Sequence, residues 1–354
     1  MNRLKQLIGK FGMAFLLLLF ISSCMDDTPS IPLGEFEKGV LIMNEGAFGA
    51  NDGEVFHYDP TSGEIKSSIF ESKNGRPFAG LIQDMVAAEG RLFLVANTGK
   101  VEVVDRRDFS SMGAVTSGLD ISRSLVVANQ KMYISDWGAY DANFNSPDSY
   151  VAVVENLNGG EVSKKIPVSS RPEGMFVAGD QLLIACTAGQ KLDVVPLNTE
   201  EKTKSLEVTG RPTLFFEEGG RLYLYARDGE NVYFHEINRS LAEITGTITV
   251  NLPLSTSNFA LTDNGEMLII TSTGWPDYND AIAMVNISSG QVLNGAIFTG
   301  SGFYGIGFHK AREEIYVADN NGFQGNGTVI ILDRDGQQQK TFLAGRGPSG
   351  FKFN

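Results

Sequence analysis

Any chemistry done by this 354-residue chain has to come from carboxylates, amides, guanidiniums and aromatic rings, because the usual catalytic side chains are sparse. There are three histidines. His57 in "VFHYD" and His235 in "YFHEI" fall at matching positions of separate segments, and His309 stands apart from both. They make no zinc-ligand set, and all three read as satisfied structural histidines. No G-x-S-x-G nucleophile elbow occurs. The stretch "LDRDGQ" (332–337) starts like a calcium loop but lacks the later acidic ligands, so it reads as a hairpin turn. Asn44, Glu45, Asn97, Asp136 and Asp319 each end an expected strand. Such a set would suit a calcium-dependent hydrolase centre, and equally it would cap strands and bind water. Cys186, in the apolar "LLIAC", reads as a buried, inert thiol.

Recognition chemistry is better supplied. Phe48, Trp137, Tyr140, Phe144, Trp275, Tyr278 and Phe323 all lie in segments rich in Gly, Asn and Asp. Tyr304 sits in "GFYG", and Arg171, Arg211 and Arg346 sit in "SRP", "GRP" and "GRG". Flat amphipathic rings beside guanidiniums suit a ligand with an apolar body and a polar fringe. The plainer alternative is that the rings fold back on the scaffold and that Arg-Pro shapes entry to a strand.

What positions these residues is a repeat. A short apolar strand, a tight turn and a second strand recur as "DMVAAEGRLFLVAN", "SLVVANQKMYISD", "GMFVAGDQLLIAC", "TLFFEEGGRLYLYA", "NFALTDNGEMLIIT" and "GIGFHKAREEIYVAD". Third strands ("KVEVVD", "YVAVVE", "TVIILD") and more polar fourth strands ("KSLEV", "KTFLAG") follow. Four antiparallel strands every ~40–50 residues is the spacing of a β-propeller blade. The last segment, "SGFKFN", is a first strand with nothing after it. "GVLIMNEG" is a second strand with nothing before it, followed by "GEVFHYD" and "IKSSIF". Together these ends complete one blade, which predicts an all-β, seven-bladed propeller closed by strand exchange between the terminal segments over residues 39–354. A pair of β-sandwiches would leave the matching ends unexplained.

In such a fold the connections between second and third strands share one face with those that lead to the next blade. The first-to-second turns, on the other face, read as uniformly tight: "EG", "NQ", "GD", "GG", "NG". The second-to-third connections vary from "NTG" (97–99) to "WGAYDANFNSPD" (137–148) and "STGWPDYND" (272–280). They carry both tryptophans, and irregular loops on a regular scaffold mark the working face. The arginine and Tyr304 segments fall on that same face.

Composition bounds the partners. Hydrophobic residues make up 42% and charged residues 20%, a globular balance, and the formal net charge is −13. Arg3, Lys5 and Lys10 precede the apolar "FGMAFLLLLF", which reads as a signal peptide over residues 1–23. Its removal takes the charge to about −16, which disfavours nucleic acid and anionic lipid headgroups as partners. "ISSC" resembles the lipobox of bacterial lipoproteins, which implies lipidation at Cys24. A polar tether then runs to residue 38, and the lipid would be the chain's one membrane contact. The acidic "MDDTPS" after Cys24 resembles the export signal of surface lipoproteins.

The units "RPEGMFVAGDQLLIA" and "GPSGF" with "VEVVD" third strands resemble YVTN/YncE-type seven-bladed propellers. The opening "GVLIMNEGAFGANDGEVFHYDPTSGEI" with "GLIQDMVAAEGRLFLVANTGKVEVVD" is similar to Bacteroidota surface lipoproteins that include the BtuG-type corrinoid-capturing propellers. The resemblance implies an outer-membrane protein that captures vitamin B12 or another corrinoid and hands it to a TonB-dependent transporter, and the residue reading above adds the expectation of a non-catalytic module with no cofactor or metal of its own. Two further readings remain open at this stage: an adhesion or scaffold propeller for protein or glycan, and a metal-dependent, lactonase-like hydrolase.

Overall fold

Strands such as Arg91–Ala96 (RLFLVA) are apolar at successive positions, the pattern of a strand buried on both faces. The computed structural model, which describes residues 32–354, shows why. Leu92, Leu94 and Ala96 pack toward one neighbouring sheet, while Phe93 and Val95 pack toward the other. Alternate residues of a strand point to opposite faces, so one run serves two interfaces. The signal-peptide and Cys24 expectations lie outside the described residues.

The chain forms seven four-stranded antiparallel sheets, each built from strands in sequence order except the first. Seven apolar clusters fill the seven interfaces between sheets, including the one between the last sheet and the first. This is the expected seven-bladed propeller. In blade 1 the innermost strand, β28 (Pro348–Phe353), comes from the C-terminal segment and pairs with β1 (Val40–Asn44). Strands β2 (Glu54–Tyr58) and β3 (Ile65–Lys66) complete it. The Asn354 amide donates to the Gly39 carbonyl at 3.0 Å, so the exchange continues past the strand ends. Closure removes the exposed edges that an open ring would present.

Two local expectations fail. "IKSSIF" is not one strand: β3 stops after two residues, and Ile69–Asn74 forms a short helix, α1. Its Ile69 and Phe70 enter the cluster between blades 1 and 2 with Phe36, Phe78 and Phe109. The first-to-second turns are also not uniformly tight. Glu89-Gly90, Asn129-Gln130 and Gly219-Gly220 have positive φ at both positions, which suits type I′ hairpins. Blades 6 and 7 use four-residue connections instead, at 262–265 and 310–313.

Candidate ligand-binding mouth and side groove

The inner strands of the seven blades are β28, β4 (Ile82–Ala88), β8 (Ser122–Ala128), β12 (Pro172–Ala178), β16 (Arg211–Glu218), β20 (Ser255–Leu261) and β24 (Phe303–His309). Every one of them breaks register with its partner near its first residues. The skipped positions are Ser349, Gln83, Arg123, Glu173/Gly174, Thr213, Thr256–Asn258 and Tyr304. A bulge frees a residue from the ladder and re-aims its side chain. Here Gln83, Arg123, Glu173, Thr213, Ser257, Asn258, Tyr304 and Ser349 all line one central cavity of about 380 Å³. The bulges therefore build the mouth.

Hydrogen bonds link these residues from blade to blade. Gln83 Nε2 donates to Glu45 Oε1 at 2.5 Å, and the Ser124 hydroxyl to Asp84 Oδ2 at 2.7 Å. Arg123 Nε donates to Glu173 Oε2 at 3.2 Å, and Arg227 Nε to the Ser257 hydroxyl at 3.2 Å. Asn258 Nδ2 donates to the Tyr304 carbonyl at 2.5 Å, and the Tyr304 hydroxyl closes the circuit onto Glu45. Among the described residues no such bond joins blade 4 to blade 5, and the buried Thr213 hydroxyl at that joint has no partner.

At this joint the mouth opens sideways. A second cavity of about 380 Å³ shares Glu173, Thr213 and Ser257 with the mouth and adds Trp137, Arg171, Arg211 and Arg227. A third space of about 520 Å³ continues outward past Arg211 and Arg227. Trp137 is flanked by guanidiniums, with Arg123 4.4 Å and Arg171 4.8 Å from its ring centroid. Tyr140 and Phe144 continue an edge-to-face ladder from Trp137 at 6.4 and 6.1 Å. Arg171 holds this loop, its Nη2 donating to the Phe144 carbonyl at 2.7 Å.

Three carboxylates face the mouth. Burial pushes Asp84, Glu173 and Glu45 above the usual carboxylate range, opposed in Asp84 by Ser124, in Glu173 by Arg123 and in Glu45 by the Tyr304 hydrogen bond. Burial, with Glu45 beside it, also raises the Tyr304 phenol.

The sequence-derived residues separate into groups. Trp137, Tyr140, Phe144, Arg171 and Arg211 gather at the blade 3–5 groove, and Tyr304 reaches the mouth. Phe323 stacks edge-on to Tyr304 at 5.3 Å and lies over Gly347, where positive φ and the ring leave no room for a side chain. Phe48 (97% exposed) and Trp275 (82%) stand clear of other rings among the described residues, and Tyr278 is half-buried beside Trp275's loop. Arg346 Nη1 meets Asp52 Oδ2 at 3.1 Å, which ties blade 7 to blade 1, and Arg346 lines neither the mouth nor the groove. Arg76, of the first "GRP", is bidentate to buried Glu102 at 2.8 Å and is likewise structural.

The hydrolase set disperses. Asp136 is buried and caps its own turn, accepting from Ile121 N (2.9 Å), Gly138 N (2.8 Å) and the Ser122 hydroxyl (2.8 Å). Asn44 Oδ1 accepts from Gly345 N at 2.8 Å. Only Glu45 of the five lines the mouth. Among the described residues no group of three or more His, Cys, Asp or Glu side chains is arranged to hold a metal ion. His57 and His235 are buried and hydrogen-bonded to carbonyls, as expected, whereas His309 Nδ1 has no partner. Cys186 is buried and unpaired, and burial lifts its thiol well above the usual value. Asp333 accepts from Asp335 N and Gln337 N, the hairpin turn read from "LDRDGQ".

Sequence reasoning missed Gln83, Asp84, Glu173, Ser257, Asn258 and Arg227. For all but Arg227 the signal was positional, a polar residue one to three places into an inner strand where an apolar one would otherwise be expected; Arg227 ends the second strand β17 and carried no such mark.

A family model described as "Domain of unknown function (DUF5074)" matches residues 38–340. No curated protein matches. Among solved structures, a quinonprotein alcohol dehydrogenase-like protein from Bacteroides thetaiotaomicron superposes with a TM-score of 0.65 at 12% identity, covering 90% of this chain and 78% of that one. Candidate 6-phosphogluconolactonases from Bacteroides uniformis and Bacteroides fragilis give 0.64 at 10% identity and 0.61 at 12%. The first covers 88% of this chain and 98% of its own, the second 88% and 97%. At these identities the likeness is one of fold.

Proposed function

The chain belongs to the DUF5074 family, and on that premise we propose that it is a non-catalytic binding module that captures a bulky, flat ligand across the mouth and the Trp137 groove. The observation that carries this reading is the seven-fold ring of bulges. A propeller needs none of them for closure, yet each turns a polar side chain toward one cavity. Apart from Thr213, their hydrogen bonds to neighbouring groups hold the rotamers before any ligand arrives, which limits the ordering cost of binding.

A corrinoid is the ligand class proposed. Its disc is wider than the cavity, so its edge would enter the mouth while its face lies on the rim. Peripheral amides would donate to Glu45, Asp84 and Glu173 and pair with Gln83 and Asn258, and Trp137 would offer a stacking surface. The lipidated Cys24, surface exposure and delivery to a TonB-dependent outer-membrane transporter belong to the same proposal. They rest on the signal sequence and the family resemblance.

Calorimetric titration of the full chain in detergent with cyanocobalamin and with cobinamide tests the reading. The expected result is saturable binding of at least one of them with one ligand per chain. Absence of heat at micromolar protein with both would remove the corrinoid and leave the mouth to another ligand.

A further inference from the structure

We propose that the groove between blades 4 and 5 is an oxyanion-binding subsite, which accepts a phosphate or carboxylate carried on a flat group. This deepens the binding reading and rests on its choice of face, but not on the corrinoid. The chain is acidic, with a formal net charge of −13, and its guanidiniums are mostly spoken for. Arg76, Arg123, Arg221, Arg239, Arg312 and Arg334 each meet a carboxylate. Five do not among the described residues: Arg91, which bonds to Asn158 and the Glu89 carbonyl, Arg106, and Arg171, Arg211 and Arg227, and these last three line the same groove.

Their arrangement opposes the stability of the sheet. Arg211 opens β16, Arg227 closes β17 (Arg221–Arg227), and the two are directly opposite in the strand register. Like charges facing across an antiparallel pair repel. Among the described residues the Arg211 side chain makes no hydrogen bond, and Arg227 uses only Nε, on Ser257. Arg171 stands at φ 57 immediately before a proline, a conformation that costs energy for a residue with a side chain. No nearby acid forms an ion pair with Arg211 or Arg227 among the described residues. Asp228 is occupied by Glu230 N, Asn231 N and the Tyr233 hydroxyl, and Glu173 is paired with Arg123. An oxyanion between Arg211 and Arg227 would satisfy two planar forks that match carboxylate and phosphate geometry. The unpartnered Thr213 hydroxyl at the inner end of the groove supplies a neutral donor. Trp137 on its wall would take the flat group.

The test titrates the full chain in detergent with phenyl phosphate, benzoate and neutral phenol, by calorimetry, in wild type and in Arg211→Gln, Arg227→Gln and Arg221→Gln. Arg221 lies at the far end of β17, bound to Glu236, and serves as the charge control. The expected result is one-site binding of an anion but not of phenol, weakened about tenfold or more by Arg211→Gln and by Arg227→Gln and unchanged by Arg221→Gln. Which anion binds more tightly distinguishes a phosphate from a carboxylate source. Saturable binding of neither anion, binding untouched by both groove variants, or equal loss with Arg221→Gln would overturn the subsite. If the corrinoids fail to bind while phenyl phosphate or benzoate behaves as expected, only the corrinoid assignment falls.

Discussion

Asp84 carries the clearest residue-scale consequence of the mouth. Its carboxylate is half-buried at the mouth beside Ser124, and the loss of hydration there raises its pKa despite that hydrogen bond and the more distant Lys352. The folded chain therefore holds the Asp84 proton more tightly than the unfolded chain does. The associated stability is complete below the ordinary aspartate range and is lost as pH rises through the elevated folded value. Asp84→Asn should raise the melting temperature at pH 8, and the gain should shrink as pH falls toward about 4. Thermal melts at pH 8, 6 and 4 read this directly, and a gain independent of pH would show that the carboxylate is not held as described. Residue types alone could not have found Asp84, because an Asp at the start of a strand looks like any turn residue. Trp137 was picked out as a tryptophan in a polar loop, but the same reading picked Trp275, which lies in none of the cavities described.

At the scale of elements, the blades were readable because the second strand of each is buried on both faces and so shows an unbroken apolar run. The bulges were not, since a ladder that skips a residue leaves no mark in composition. It shows only as a polar residue out of phase, as in "IQDMV" and "SRSLV". Helix α1 was hidden for a related reason: six residues are too few for a helical period to declare itself. Its place depends on tertiary packing rather than propensity. Phe70 is completely buried between blades 1 and 2, in edge contact with Phe78 5.7 Å away. Phe70→Ala should cost about 3–5 kcal/mol in denaturant unfolding. A loss below about 1 kcal/mol would mean that α1 is an ornament on the closing blade rather than part of its core.

For the whole molecule, the matching terminal segments predicted closure, and the register of β28 on β1 bears it out. What the sequence could not convey is the asymmetry of the working face. Loop lengths implied a rim of aromatics all round. The structure instead stacks Trp137, Tyr140 and Phe144 together beside the groove, near the joint of blades 4 and 5 where the ring of hydrogen bonds is interrupted, and leaves Phe48 and Trp275 clear of other rings among the described residues. Trp275 sits apart on blade 6, 82% exposed and in no groove described above. The two tryptophans therefore separate the account from its nearest rival, a general aromatic rim. The most direct measurement is a calorimetric titration of cyanocobalamin into wild type, Trp137→Ala and Trp275→Ala. The account predicts a loss of about tenfold or more with Trp137→Ala and less than about twofold with Trp275→Ala. Unchanged affinity with Trp137→Ala, or a loss confined to Trp275→Ala, would contradict it.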